Sequence, residues 1–264
     1  MGVTRIGLRG GDADEGGVRA RVSDSEWQLR CELAAAHWLV AHFCFVDMTY
    51  NHVSVRLPEN PDHFLVKADN VFMEQVTASN VVKYDVDGNQ VMDSDFKASP
   101  AAYNVHAAIL KTRPDIAAVV HTHSPANLAV SAQRDGLLPL TQQAMRFYER
   151  IAYYENTVDD TTRAGTDEMA RAMGDRWVMI LENHGALVAG QSLPEAYIYH
   201  HFFELACRAQ IGALSGGREL IVPAPEVCRA RAAKFGRVGV YDSSSRDWVA
   251  SMALVEKHYP EYRD

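Results

Sequence analysis

The chain has 264 residues, is 47% hydrophobic and carries a formal charge of −8 at neutral pH. That length suits one domain with a large core. The acidic balance argues against nonspecific binding to nucleic acid or anionic membranes, and no apolar run approaches the length of a bilayer crossing. Cys31, Cys44, Cys207 and Cys228 are scattered without CxxC spacing. They read as reduced thiols of a cytoplasmic protein.

No Pro/Gly/Ser-rich linker or internal repeat divides the sequence. Residues 1–22, with clustered glycine and aspartate and few apolar groups, read as a flexible N-terminal arm without the apolar core of a signal peptide. Residues 23–264 make the domain. Ser23-Asp-Ser-Glu26 has the form of a capping box, and Trp27, Cys31, Ala34 and Trp38 give the following helix, to about His42, one buried stripe. Alternating runs at Val53 to Leu57, Phe64 to Val66 and Val81 to Tyr84 predict strands. Asp87-Gly88 marks a hairpin turn before Gln90 to Met92. Ala102, Val105, His106, Ile109 and Leu110 share one helical face that ends near Arg113-Pro114. A strand with His121 and His123 follows, then a helix over Pro125 to Arg134, a polar loop from Val158, and a helix over Asp167 to Met173. The apolar runs Trp177 to Leu181 and Ala186 to Ala189 flank a polar turn. Ser192-Leu-Pro-Glu195 opens a helix to about Leu214, and Trp248, Met252 and Val255 predict a C-terminal helix. Helices covering such strands give an α/β/α layered sandwich with a largely antiparallel central sheet.

Residues two apart on a strand face the same way, so His121 and His123 place two imidazoles together. His184, in the turn-prone Glu182-Asn-His-Gly185, can bring a third nitrogen to the same point. Three neutral imidazoles suit zinc, iron, manganese or nickel and keep coordination positions open.

Six segments fall in a recognisable order: Asn51-His-Val-Ser-Val-Arg56, Val76 to Asp85, Thr112-Arg-Pro-Asp115, His121 to Ser131, Gly136-Leu-Leu-Pro-Leu140 and Glu182-Asn-His-Gly185. From about Ser23 to about Leu220 the chain resembles the class II aldolase/adducin family. It looks closer to bacterial relatives of the adducin head than to the sugar-phosphate aldolases. The resemblance implies a class II aldolase-like fold and a divalent metal (Zn, Mn or Fe) on His121, His123 and His184. It also implies a homotetramer with sites at subunit interfaces. Tyr259 and Tyr262 are candidates to close a neighbour's site, with plain packing as the other reading. Asn51, Ser54 and Arg56 match one half of the family's anion pocket, and Gln142 and Gln143 lie in a segment that relatives place near the metal. The aromatic residues Phe202, Phe203, Phe147, Tyr148, Tyr153 and Tyr154, with Leu205, read as core or subunit contacts before they read as a pocket lining.

Two departures shape the functional reading. Asp69-Asn70 stands where the sugar-phosphate aldolases have a phosphate-holding serine-glycine pair, and a carboxylate there repels a phosphate dianion. Ala102 stands where they carry a catalytic glutamate, nineteen residues before the first metal histidine. Glu74, Tyr103, His106 and His201 are the substitutes to weigh, with His201 and Tyr103 as the catalytic candidates and Asn51, Ser54, Arg56 and Gln143 as substrate-binding ones. Arg56 with two neutral donors suits a small carboxylate. Losing a general acid/base affects decarboxylation less than aldol cleavage. The reading is a metal-dependent decarboxylase of an unphosphorylated oxo acid or hydroxylated aromatic acid. An aldolase on a hydroxy-oxo acid, an Fe(II) oxygenase and a noncatalytic adducin-like scaffold are its rivals.

Overall fold

A computed structural model describes residues 17–155 and 162–264. The predicted arm lies mostly outside these, with Val18–Arg21 forming a short 3-10 helix, and so does part of the polar loop expected from Val158. Seven strands form one sheet in the order β3-β2-β1-β4-β7-β6-β5. These are β1 (His52–Leu57), β2 (Asn60–Val66), β3 (Val82–Asp85), β4 (Ala118–Thr122), β5 (Ile151–Tyr154), β6 (Val178–Leu181) and β7 (Gly185–Gly190). All pairings are antiparallel except the parallel β5–β6 edge, which the sequence reading did not foresee. The hairpin predicted to reach Gln90 to Met92 is reduced to a single bridge, Tyr84 to Gln90.

Alternation sorts the strand residues into two layers. On one face Phe64, Val66, Val119, Leu187 and Ala189 pack under α2 (Pro100–Thr112) and α5 (Arg163–Met173). On the other, Val53, Val55 and Val120 meet α1 (Asp24–His42), α6 (Leu193–Ser215) and α8 (Arg246–His258). Val178, Ile180, Ala186 and Val188 join α6 and α3 (Pro125–Ser131) there. Each fully buried Leu, Val or Phe contributes roughly 1.5–3 kcal/mol, so this two-sided burial fixes the register. The fold is the predicted α/β/α sandwich.

Capping chemistry sets the helix starts. Ser23, Ser99, Ser124 and Ser192 each accept a hydrogen bond from the backbone N–H three residues on, and α2, α3 and α6 begin with proline in the first turn. The predicted helix to Arg134 stops at Ser131. Short α4 (Gln142–Met145) and α7 (Pro225–Phe235) were not predicted. Tyr259 stacks on Trp38 at 4.7 Å, and the buried Tyr262 donates to Glu256 at 2.9 Å, so both tyrosines pack within their own chain. All four cysteines are free thiols, with Cys44 alone exposed.

Candidate metal centre

His121 is the last but one residue of β4 and His123 lies one residue beyond the strand, while His184 sits in the β6–β7 turn. Their Nε2 atoms converge, with His123 2.8 Å from His121 and 3.0 Å from His184, and one ligand atom from each lies within 4.8 Å of the others. The orientation of two of the rings is fixed from behind. His121 Nδ1 lies 3.0 Å from the Ala186 carbonyl, which can only accept, so Nδ1 carries the hydrogen and Nε2 offers a lone pair. His123 Nδ1 faces the Asp47 carboxylate at 3.3 Å. Burial and the neighbouring imidazoles hold the His121 pKa well below its ordinary value, which keeps the ring neutral. Three imidazole nitrogens brought together at one point, with the His121 Nε2 lone pair among them, form a donor set that fits a divalent ion.

Gly185 permits this convergence. Its φ is +145°, and a Cβ there would lie 2.6 Å from the Thr122 carbonyl oxygen and 3.1 Å from His123 Cδ2. Asn51 acts at one remove, since its Oδ1 accepts from the Asp47 N–H at 2.5 Å and so sets the loop that presents Asp47 to His123.

The strand end has a polar support on its opposite face. Between the two histidines, Thr122 points toward α6, where the fully buried Glu204 accepts from Thr122 Oγ1 at 3.2 Å, from Asn127 Nδ2 at 2.6 Å and from Ser124 Oγ. His200 Nε2 is 2.8 Å from Thr122 Oγ1. Burial alone would raise the Glu204 pKa, but hydrogen bonds from His200, Ser124 and Asn127 outweigh it and keep the carboxyl below its usual range.

A second polar chain enters from α2. His52 pairs with His121 across β1 and β4, and its Nδ1 lies 2.6 Å from His106 Nε2, while His106 Nδ1 bonds Ser54 Oγ. All three residues are buried. His52 also lines a cleft of about 610 Å³ with the three convergent histidines, Tyr50, Asp69, Ser99, Pro100, Ala101 and the apolar Val105, Met169 and Leu181. Buried Lys67, its pKa pushed down to about 8 by burial, donates to the Ala68 and Val71 carbonyls and pins the loop that carries Asp69 to the cleft.

Several predicted residues stand elsewhere. Arg56 lies four residues along β1 from His52, about 13 Å at strand rise. Its guanidinium donates to the carbonyls of Ile116, Pro61, Leu110 and Arg113, tying off the end of α2. Its donors are spent on main chain, so it is not among the residues brought to the imidazoles. His201 packs against Phe43 and Phe45, with burial lowering its pKa to about 4, and Tyr103 stacks on Tyr84 at 4.9 Å. Neither lines the cleft, nor do Gln143 on α4 and the exposed Glu74. Phe147 and Phe203 are core residues.

Sequence reasoning passed over Asp47, His52 and Glu204. Strand alternation from Ser54 was enough to place His52 on its face, and a lone glutamate in Phe202-Phe-Glu-Leu-Ala-Cys207 signals a buried carboxylate. Asp47 gave no local signal.

Comparison with known proteins agrees with this geometry. Residues 31–211 match the model of the class II aldolase and adducin N-terminal domain. This chain belongs to that family. An aldolase II superfamily protein from Pseudomonas syringae is 39% identical, with a TM-score of 0.88 over 94% of this chain and 99% of that one. Alpha-adducin of Rattus norvegicus is 34% identical over 74% of this chain, which spans only 27% of that longer protein. An L-fuculose 1-phosphate aldolase from Glaciozyma antarctica is 25% identical, with a TM-score of 0.78 over 90% of this chain and 93% of that one. The family is thus shared by enzymes of the metal-dependent lyase type and by adducins, and this member keeps a histidine trio able to hold a divalent ion. No helix among the described residues is long and apolar enough to cross a membrane.

Proposed function

We propose that this chain is a divalent-metal-dependent lyase that decarboxylates a small unphosphorylated oxo acid or hydroxylated aromatic acid. The observation that carries the reading is the composition of the cleft. One end presents three imidazoles on His121, His123 and His184, the lining includes the Asp69 carboxylate, and the wall from Ser99 to Ala101 contributes no acid. A phosphate dianion is repelled by Asp69 in a partly desolvated cleft, whereas a compact monoanion can sit toward the imidazoles. A divalent ion on the trio supplies the Lewis acidity that accepts negative charge as CO₂ departs.

The chain's own residues provide orientation and exclusion of water. Val105, Met169 and Leu181 give the substrate carbon skeleton an apolar wall, and His52 offers its Nε2 to a substrate oxygen. The chain to His106 and Ser54 fixes the His52 ring. The α2 wall from Ser99 to Ala101 carries no carboxyl group, and we assign the final proton to solvent. His201 and Tyr103 are not assigned that role. Asn51 serves through Asp47, and Ser54 through His106.

Met48 and Tyr50 are 63% and 65% exposed, and Tyr50 lines the cleft, which supports subunit contacts at its rim in a homotetramer. Light scattering on the purified protein tests the assembly.

The experiment for function is elemental analysis of purified protein, followed by assays with oxo acids and hydroxybenzoates. Metal retention and CO₂ release without an aldehyde support the proposal. An aldehyde product moves the assignment to aldol cleavage, and iron with oxygen consumption moves it to an oxygenase. The similarity to alpha-adducin favours a scaffold as the second reading. His123→Ala separates them, because an enzyme loses metal and turnover while a scaffold keeps its partner.

A further inference from the structure

We propose that a second cavity, at the other end of the sheet from the histidine trio, binds an organic phosphate through Arg146 and Arg150. The cavity, about 480 Å³, is lined by Arg146, Arg150, Arg176 and Arg229 together with Trp177 and Tyr199. It opens beside Val178, where β6 begins, whereas Leu181 at the other end of that strand borders the histidine cleft. Three residue steps along the strand separate Val178 from Leu181, about 10 Å.

The charge pattern singles out two of the arginines. The acids that line the cavity are matched: Glu149 pairs with Arg229 at 3.2 Å and Asp175 with Arg176 at 3.4 Å. Arg146 and Arg150 have no carboxylate partner among the described residues. Each gives one terminal nitrogen to a main-chain carbonyl, Arg146 to Phe235 at 2.8 Å and Arg150 to Gly236 at 2.7 Å. Arg146 Nε is buried and has no acceptor among the described residues, which leaves this guanidinium with an unpaired donor.

The Arg146 guanidinium is also held in place. It lies 4.1 Å from the Phe202 ring centre and 5.5 Å from that of Phe235, so little rotamer freedom remains to be lost on binding. A planar guanidinium matches phosphate oxygens in pairs, and a second one beside it suits a dianion better than a monoanion. Cavity size then selects a phosphate with an organic part, because the space is that of a small-molecule pocket, roughly 300–1,000 Å³, and Trp177 and Tyr199 supply apolar walls.

The test is calorimetric titration of phenyl phosphate, inorganic phosphate and benzoate into the full chain, its Arg150→Gln variant and its His123→Ala variant. Phenyl phosphate is expected to bind tightest and equally well to wild type and H123A, with a loss of at least about tenfold in R150Q at unchanged metal content. If R150Q fails to fold, by circular dichroism, Arg150→Lys is used in its place, because it keeps the charge but loses the paired donors and is expected to weaken phenyl phosphate binding in the same direction. Loss of binding in H123A, with R150Q unaffected, places the phosphate on the metal centre and overturns the proposal. Benzoate binding as tightly as phenyl phosphate overturns the phosphate assignment. A fall in oligomeric mass on Arg150→Glu, with no phosphate binding to wild type, makes the cavity a subunit contact and overturns the site.

Discussion

Removing the Glu204 carboxylate is expected to loosen the metal centre although no atom of Glu204 touches it. In Glu204→Ala the hydroxyls of Thr122 and Ser124 and one N–H of Asn127 lose their acceptor inside a fully buried space. Each stranded donor costs about 1–3 kcal/mol, and Asn127 retains its bond to the Thr122 carbonyl, which brings the total to about 3–5 kcal/mol. Because Thr122 lies between His121 and His123, the strand end that aims both rings loses its rear anchor. A support of this kind is worth about ten- to hundredfold in metal affinity. Urea unfolding of metal-free protein measures the first quantity, and zinc titration against a competing chelator measures the second. Glu204→Gln, which keeps one acceptor oxygen, is expected to fall between wild type and E204A. A loss below about 1 kcal/mol in E204A, or an E204A variant with wild-type zinc affinity, refutes the reasoning.

Gly185→Ala forces a methyl group against the Thr122 carbonyl and is expected to cost about 1–3 kcal/mol and to abolish tight zinc binding, read by thermal melts with and without zinc. Arg56→Ala should lower stability by about 2–4 kcal/mol, since several main-chain carbonyls lose their donor, and leave zinc affinity unchanged. A stable R56A that has lost substrate binding would restore the anion-pocket role. For pH, buried His37 and His106 have pKa values lowered to about 3, against about 6.5 unfolded. The native state therefore binds fewer protons than the unfolded chain between those values, and stability is lost as pH falls from about 6.5 toward 3. The slope is up to about 1.4 kcal/mol per pH unit for each histidine. Urea midpoints of metal-free protein between pH 7 and 4.5 check the sign, and His37→Leu should flatten the curve. His52→Phe is expected to leave metal content intact while weakening substrate binding in whichever assay shows turnover, with KM changed more than kcat.

The local signals in this sequence are the ones that need no partner. The capping boxes at Ser23 and Ser192 name two helix starts because the cap bond closes within three residues, and the structure adds Ser99 and Ser124 as caps of the same kind. The HxH spacing places two imidazoles together because strand geometry repeats every two residues, and Gly185 beside His184 marks a turn that only glycine tolerates. Arg56 shows where that reasoning ends. Its identity suits an anion, but its donors meet carbonyls that are up to 60 residues away in sequence, and only folding decides which acceptors arrive first. Position alone likewise did not separate His106 from His201. One is buried in a hydrogen-bonded chain that reaches the cleft, the other is wedged among phenylalanines, and the difference lies in how α2 and α6 lie against opposite faces of the sheet. The sequence by itself determined most of the helices and strands and the layered class, since those rest on short-range periodicity and capping, while the metal role of the three histidines came from their spacing together with the family resemblance. The tertiary structure alone decided which polar groups meet behind and beside them, because hydrogen-bond partners such as Asp47, Ser54 and Glu204 are selected by packing across the chain.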